Sequence, residues 1–210
     1  FSPVPVEIVV VDDGSTDATS RIAAAHGAVV VRTPGWGYKE NLHVYRIGMV
    51  RNAGIKASHG DVVASFDADC TVVPEYFQRA VRAIRTAPIV SGDRRPKNLD
   101  PGSFAFKAAS DAILLLRTRY GVEPCIVFRR ELFPSGDAFH PTAHTEVRGI
   151  TEGREHLVVH DPNMAVYTSF GGWRSKLGGA MLKLMPGMAR AGIEASFAKR
   201  IRGGGAKWPR

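Results

Sequence analysis

Two β-branched runs that each end in paired carboxylates constrain this chain more than any other feature. Glu7 to Val11 leads into Asp12-Asp13-Gly14, and Val62 to Phe66 leads into Asp67-Ala68-Asp69. Uninterrupted apolar strands belong to sheets covered on both faces. Helical patterns separate them. Ser15 or Thr16 is placed to cap a helix to about His26, which Gly27 stops. After the strand Ala28 to Arg32, a helix of roughly four turns carries Leu42, Tyr45, Met49, Ala53 and Ala57. Pro74 stands where a first helical residue would, before Tyr76, Phe77, Val81 and Ile84. Strands separated by helices imply βαβ units and a mostly parallel sheet. Ligands of such sheets bind beyond the carboxyl ends of the strands, where both acidic clusters lie.

The second half is less regular. Ile89 to Ser91 is a short strand, Phe104 to Tyr120 a helix and Cys125 to Phe128 a strand. Leu157 to Val159 and Met164 to Tyr167 read as two strands about an Asp161-Pro162-Asn163 turn. With 210 residues and 44% apolar composition, the chain buries a core without staples. Cys70 and Cys125 have neither metal-ligand nor disulfide-framework spacing, which points to a reducing compartment. No apolar run approaches the ~18–20 residues of a membrane span.

The residues after each strand carry the chemistry. Two carboxylates one residue apart, Asp67 and Asp69, suit a hard cation, Mg²⁺ or Mn²⁺, which neutralises a diphosphate leaving group. Such triplets are also common by chance. Asp12 and Asp13 are placed to accept from a base N–H or a ribose hydroxyl, the alternative being a well-capped turn with solvated acids. Arg51 suits a phosphate, or equally an acid on a neighbouring element.

Val11-Asp12-Asp13-Gly14-Ser15-Thr16-Asp17 resembles the nucleotide-binding loop of family 2 glycosyltransferases. The likeness continues through Arg51-Asn52-Ala53-Gly54, Ala57-Ser58-His59-Gly60-Asp61 and Ser65-Phe66-Asp67-Ala68-Asp69, in the family's order. Phe128 to Phe133 and Asp161 to Ser169 are similar to its later segments. The resemblance implies a GT-A-like, Rossmann-related α/β fold over residues 1–169, with helices flanking the sheet. It implies inverting transfer of a sugar from a nucleoside diphosphate sugar to a glycan or lipid-linked acceptor. By position, Asp12 and Asp13 would hold base and ribose, and Arg51 and Asn52 would lie beside the donor. Asp67 would stand near the ribose or sugar, and Asp69, with Asp67, would bind Mg²⁺ or Mn²⁺.

Inversion also needs a general base. The family's Glu-Asp pair is missing from Ser135 to Glu146. Glu146 is the first candidate, His144 a rival and Asp137 the third. The family's usual opening strand and helix are also missing before Glu7, so the chain reads as truncated by one βα unit.

Two other classes compete. A nucleotidyltransferase would favour a Gly-rich basic loop after the first strand, where this chain is acidic. A nucleic-acid binder is prompted by the formal charge of +8 and predicts a basic folded face. Residues 170–210 hold nine basic groups and one acid, whereas residues 1–169 hold 19 of each. The body is thus formally neutral and no nucleic acid is expected. The tail interleaves Lys and Arg with Leu, Met, Ile and Phe. That pattern fits a segment lying on an anionic membrane, and equally a helix pair packed on the sheet. The expected location is the cytoplasm, with the membrane's cytoplasmic face added if the tail binds lipid.

Overall fold

The computed structural model describes residues 5–36, 38–39, 44–45, 47–97, 107–108, 125–141 and 148–168. Its first unit is β1 (Val9–Asp12), α1 (Thr19–Ala25) and β2 (Val29–Arg32), with the strands paired in parallel, Val9 to Val29 through Asp12 to Arg32. Neither Ser15 nor Thr16 caps α1, which starts later. Asp17 instead accepts from the Thr19 N–H at 2.9 Å and its hydroxyl at 2.5 Å. Gly27 ends the helix region at φ 80°.

Next come the short antiparallel pair β3 (Tyr38–Lys39) and β4 (Val44–Tyr45), then α2 (Ile47–Ala57). The larger sheet contains β5 (Val62–Ser65), β6 (Thr71–Val72), β7 (Ile89–Pro96), β8 (Ile126–Arg129) and β9 (Val158–Thr168), in the order β5-β8-β7-β9-β6. Helix α3 (Tyr76–Ala83) follows β6, two residues after the position Pro74 suggests, and short helix α4 (Arg148–Thr151) precedes β9. The α/β plan stands, but this sheet is mixed. β7 and β9 run parallel, while β8 is antiparallel to both β5 and β7, and β6 to β9.

Alternation along the strands divides the core. Ile89, Ile126 and Phe128 face one side, where they pack with Ile55 of α2, Phe133, Phe139 and Ile150. Val90, Cys125 and Val127 face the other, with Tyr76, Ala80 and Ile84 of the α3 region and Met164 and Val166. Both faces are therefore covered, which accounts for strands without polar alternation. Neither cysteine is in a disulfide; Cys125 is buried and Cys70 half-buried.

The two strands expected about Asp161-Pro162-Asn163 form one continuous strand. β9 stays parallel to β7 on both sides of an irregularity: Ser91 pairs with His160, but Asp93 pairs with Ala165. The extra residues bulge out opposite Gly92. A Cβ on Gly92 would lie 1.9 Å from the Met164 carbonyl oxygen and 2.2 Å from Cys125 Sγ. Glycine is thus required by close backbone approach. Apart from residues 107–108, the helix expected over Phe104 to Tyr120 lies outside the described residues.

Gly92→Ala is expected to lower stability by about 3 kcal/mol through forced overpacking, seen as a lower urea midpoint. Gly27→Ala meets no atom within 4 Å and should cost only about 1–2 kcal/mol from its positive φ. Equal midpoints would contradict this packing.

Candidate active site

Helix α2 builds the site from three residues of one motif, Arg51, Asn52 and Gly54. Gly54 allows α2 to lie on β1, since a Cβ there would be 2.9 Å from Val11 Cγ2. Asn52 is buried. Its side-chain nitrogen donates to the Phe139 carbonyl and its oxygen accepts the Phe139 N–H, both at 2.8 Å. Arg51 donates to Ser65 Oγ at 2.7 Å and to Asp67 Oδ1 at 2.5 Å. Its guanidinium carbon also lies 5.3 Å from the Phe139 ring centroid. Asn52, which the family resemblance sets beside the donor, therefore has its amide committed to the Phe139 main chain.

Arg130 closes the opposite end of α2. Its guanidinium donates to the Ile55 carbonyl (3.0 Å), the Gly60 carbonyl (2.7 Å) and Ser58 Oγ (2.5 Å), while its N–H reaches the Asp61 carbonyl (2.8 Å). A cation at a helix C-terminus satisfies carbonyls the helix leaves open. The Ala-Ser-His-Gly-Asp motif is thus the receiving end of an arginine cap.

Asp137 belongs at this same end. It pairs with Lys56 at 2.6 Å, which holds its carboxyl below the ordinary aspartate range. Lys56 is five residues past Arg51, ~7.5 Å of helix rise, toward the amino end of β5. Asp137 thus sits at the Lys56 end of α2. Glu146 and His144 lie outside the described residues. The chain on either side of them is fixed: Phe139 is clamped by Asn52, and a Cβ on Gly149 of α4 would be 2.6 Å from the His140 nitrogen.

The first acidic loop divides its labour. Asp12 is 3% exposed and turned inward, accepting the Ser15 N–H at 2.8 Å and the Ser20 hydroxyl. These donors, Ser20 first, hold its carboxyl down at about 2. Asp13 is half-buried and bridges to the loop after β2, accepting from the Thr33 hydroxyl at 2.5 Å and the Trp36 N–H at 2.7 Å. Gly14, at φ 84°, permits the turn that follows them.

Past β5, ligand atoms of Asp67, Asp69 and Cys70 lie within 4.8 Å of one another, with Asp69 exposed and Asp67 half-buried. Burial pushes the Cys70 thiol upward, so the sulfur keeps its proton and the hard carboxylate oxygens are the ligands on offer. They fit Mg²⁺ or Mn²⁺. Two residues at this loop, and a third behind Arg51, have no local sequence signal. Thr168 Oγ1 donates to the Asp69 carboxylate at 3.2 and 3.3 Å, Lys97 Nζ donates to the Asp69 carbonyl at 2.5 Å, and Phe139 supports Arg51.

Residues 3–135 match the family described as Glycosyl transferase family 2. The chain belongs to that family. Among curated relatives, the "Low-salt glycan biosynthesis hexosyltransferase Agl6" of Haloferax volcanii is 37% identical over 97 residues, 45% of this chain and 21% of that protein. Among solved structures, Staphylococcus aureus TarS 1–349 in complex with UDP superposes with a TM-score of 0.57 at 18% identity, covering 79% of this chain and 52% of that one. Glucosyl-3-phosphoglycerate synthase of Mycobacterium tuberculosis, with Mn²⁺, UDP-glucose and phosphoglyceric acid, gives 0.51 at 22% identity, over 75% and 58%. The chain spans about a fifth to two fifths of the curated relatives it matches and about half of these structures. The structural likeness identifies the GT-A fold of family 2 members.

Asp12 has a folded-state pKa depressed below its unfolded value, so it contributes stability above the unfolded pKa that is lost as pH falls through about 2. Asp12→Ala should therefore melt below the parent at neutral pH. The gap should narrow between about pH 4 and pH 2. A gap independent of pH would contradict this role.

Proposed function

We propose that this chain carries the donor site of an inverting glycosyltransferase that uses a nucleoside diphosphate sugar and a divalent metal. The observation that carries the reading is the convergence of Arg51, Asp67 and Asp69 at the carboxyl end of β5 in a family 2 chain. Asp13 accepts from the nucleoside, and Asp12 shapes the loop beneath it. Asn52 serves the donor indirectly, by fixing Phe139 under Arg51. Asp69 and Asp67 hold Mg²⁺ or Mn²⁺, which when bound neutralises the diphosphate leaving group. The Mn²⁺ and UDP-sugar named for one neighbour support this ion and donor class.

In the reaction, an acceptor hydroxyl oxygen bonds to the anomeric carbon as the bond to the diphosphate oxygen breaks. A base on the opposite face takes the hydroxyl proton. That base is Glu146, or His144 in its place. Arg51 turns its charge toward the departing diphosphate, with Asp67 holding the guanidinium in line. The acceptor is a glycan or lipid-linked sugar, the former supported by the glycan biosynthesis named for a relative. The basic stretch 170–210 would bring the domain to an anionic cytoplasmic membrane surface. Among the described residues no helix is long and apolar enough to cross a membrane.

UDP or GDP should raise the melting temperature only with Mn²⁺ present, and Asp69→Ala should abolish this stabilisation and transfer while remaining folded. Undiminished transfer in Asp69→Ala would overturn the metal assignment. Glu146→Gln should stop transfer and spare donor stabilisation; the same result from His144→Ala alone would move the base to the histidine.

A further inference from the structure

We infer that Thr168 is a positioning residue for the metal site: its hydroxyl sets the Asp69 carboxylate for ligation. This rests on the metal reading above and adds a residue 99 positions away in sequence. Thr168 is the last residue of β9 and 6% exposed. Its Oγ1 lies 3.2 Å from one Asp69 carboxylate oxygen and 3.3 Å from the other, so one buried hydroxyl is shared between both oxygens. The same hydroxyl bonds to the Cys70 thiol, whose own Sγ lies 3.9 Å from Asp69 Oδ1.

The placement is built by the sheet. β7 and β9 run parallel up to the pair Pro96–Thr168, and Lys97 continues the ladder by donating its N–H to the Thr168 carbonyl at 2.9 Å. Lys97 then turns its ammonium onto the Asp69 carbonyl at 2.5 Å. On the other side, β6 begins at Thr71, directly after Cys70, and pairs Thr71 with Tyr167 and Val72 with Val166. The Asp67–Cys70 loop is therefore held at its main chain by Lys97 and β6, and at its metal-binding carboxylate by Thr168. An exposed carboxylate without such a partner samples several rotamers. A hydroxyl donor to it fixes one, as partners of metal ligands commonly do.

The test is Mn²⁺ binding by the whole chain, measured from the electron paramagnetic resonance signal of free Mn²⁺, with melting temperature recorded alongside. Thr168→Val keeps the shape and removes the donor, and should weaken Mn²⁺ binding about 10-fold. Thr168→Ser keeps the hydroxyl and should bind as the parent does. A purely structural threonine would alter melting without altering Mn²⁺ affinity. Should Thr168→Val not fold, Thr168→Ala carries the same expectation. Parental affinity in the valine or alanine variant, or equal weakening in the serine variant, would overturn this inference and leave the metal reading intact. A parent protein that binds no Mn²⁺ would overturn both.

Discussion

The Asn52 amide and the Phe139 main chain, 87 residues apart, exchange two buried hydrogen bonds, and the candidate site is arranged around that exchange. Leaving either backbone group buried and unpaired would cost ~1–3 kcal/mol, so the loop before α4 has one favourable seat on α2. Once Phe139 is seated, its ring lies beside the Arg51 guanidinium, and Arg51 is aimed at Ser65 and Asp67. A flexible arginine becomes a directed one. The clamp also fixes where the chain leaves toward Glu146 and His144, since Gly149 brings it back against His140. One buried amide thus connects Arg51 to the segment that holds the proposed base.

Much of this was legible from residue patterns. The strand–acid–turn units, the family motifs and the carboxylate pair Asp67 and Asp69 are local signals, and the structure groups them at strand ends. What patterns could not show was which partner each motif residue serves. Asn52 reads as a donor contact until Phe139 is seen in its amide. Asp137 gives no sign in sequence of its pairing with Lys56. Asp12 and Asp13 look equivalent in sequence, yet one faces inward and the other bridges two loops. Thr168 carries no signal at all, because its partner is set by strand register. The mixed sheet was hidden for a related reason: apolar runs report burial on both faces, not strand direction. The β9 bulge mimicked a turn because Asp-Pro-Asn favours both.

Charge follows the same division. The body is formally neutral, and among the described residues a guanidinium stands against Asp67 and an ammonium on the Asp69 carbonyl. Under the proposed function, such an arrangement would suit a diphosphate held together with a divalent cation. The whole positive excess lies in residues 170–210.

The central claim is that Asp67 and Asp69 hold a divalent ion next to Arg51 and the diphosphate of a nucleotide sugar. Anomalous diffraction from crystals grown with UDP and Mn²⁺ tests it most directly. The account predicts one manganese peak bonded to an Asp69 carboxylate oxygen, with a diphosphate oxygen on the ion and the Arg51 guanidinium beside that diphosphate. A nucleotide bound with its diphosphate away from this loop, or manganese bound elsewhere, would contradict it.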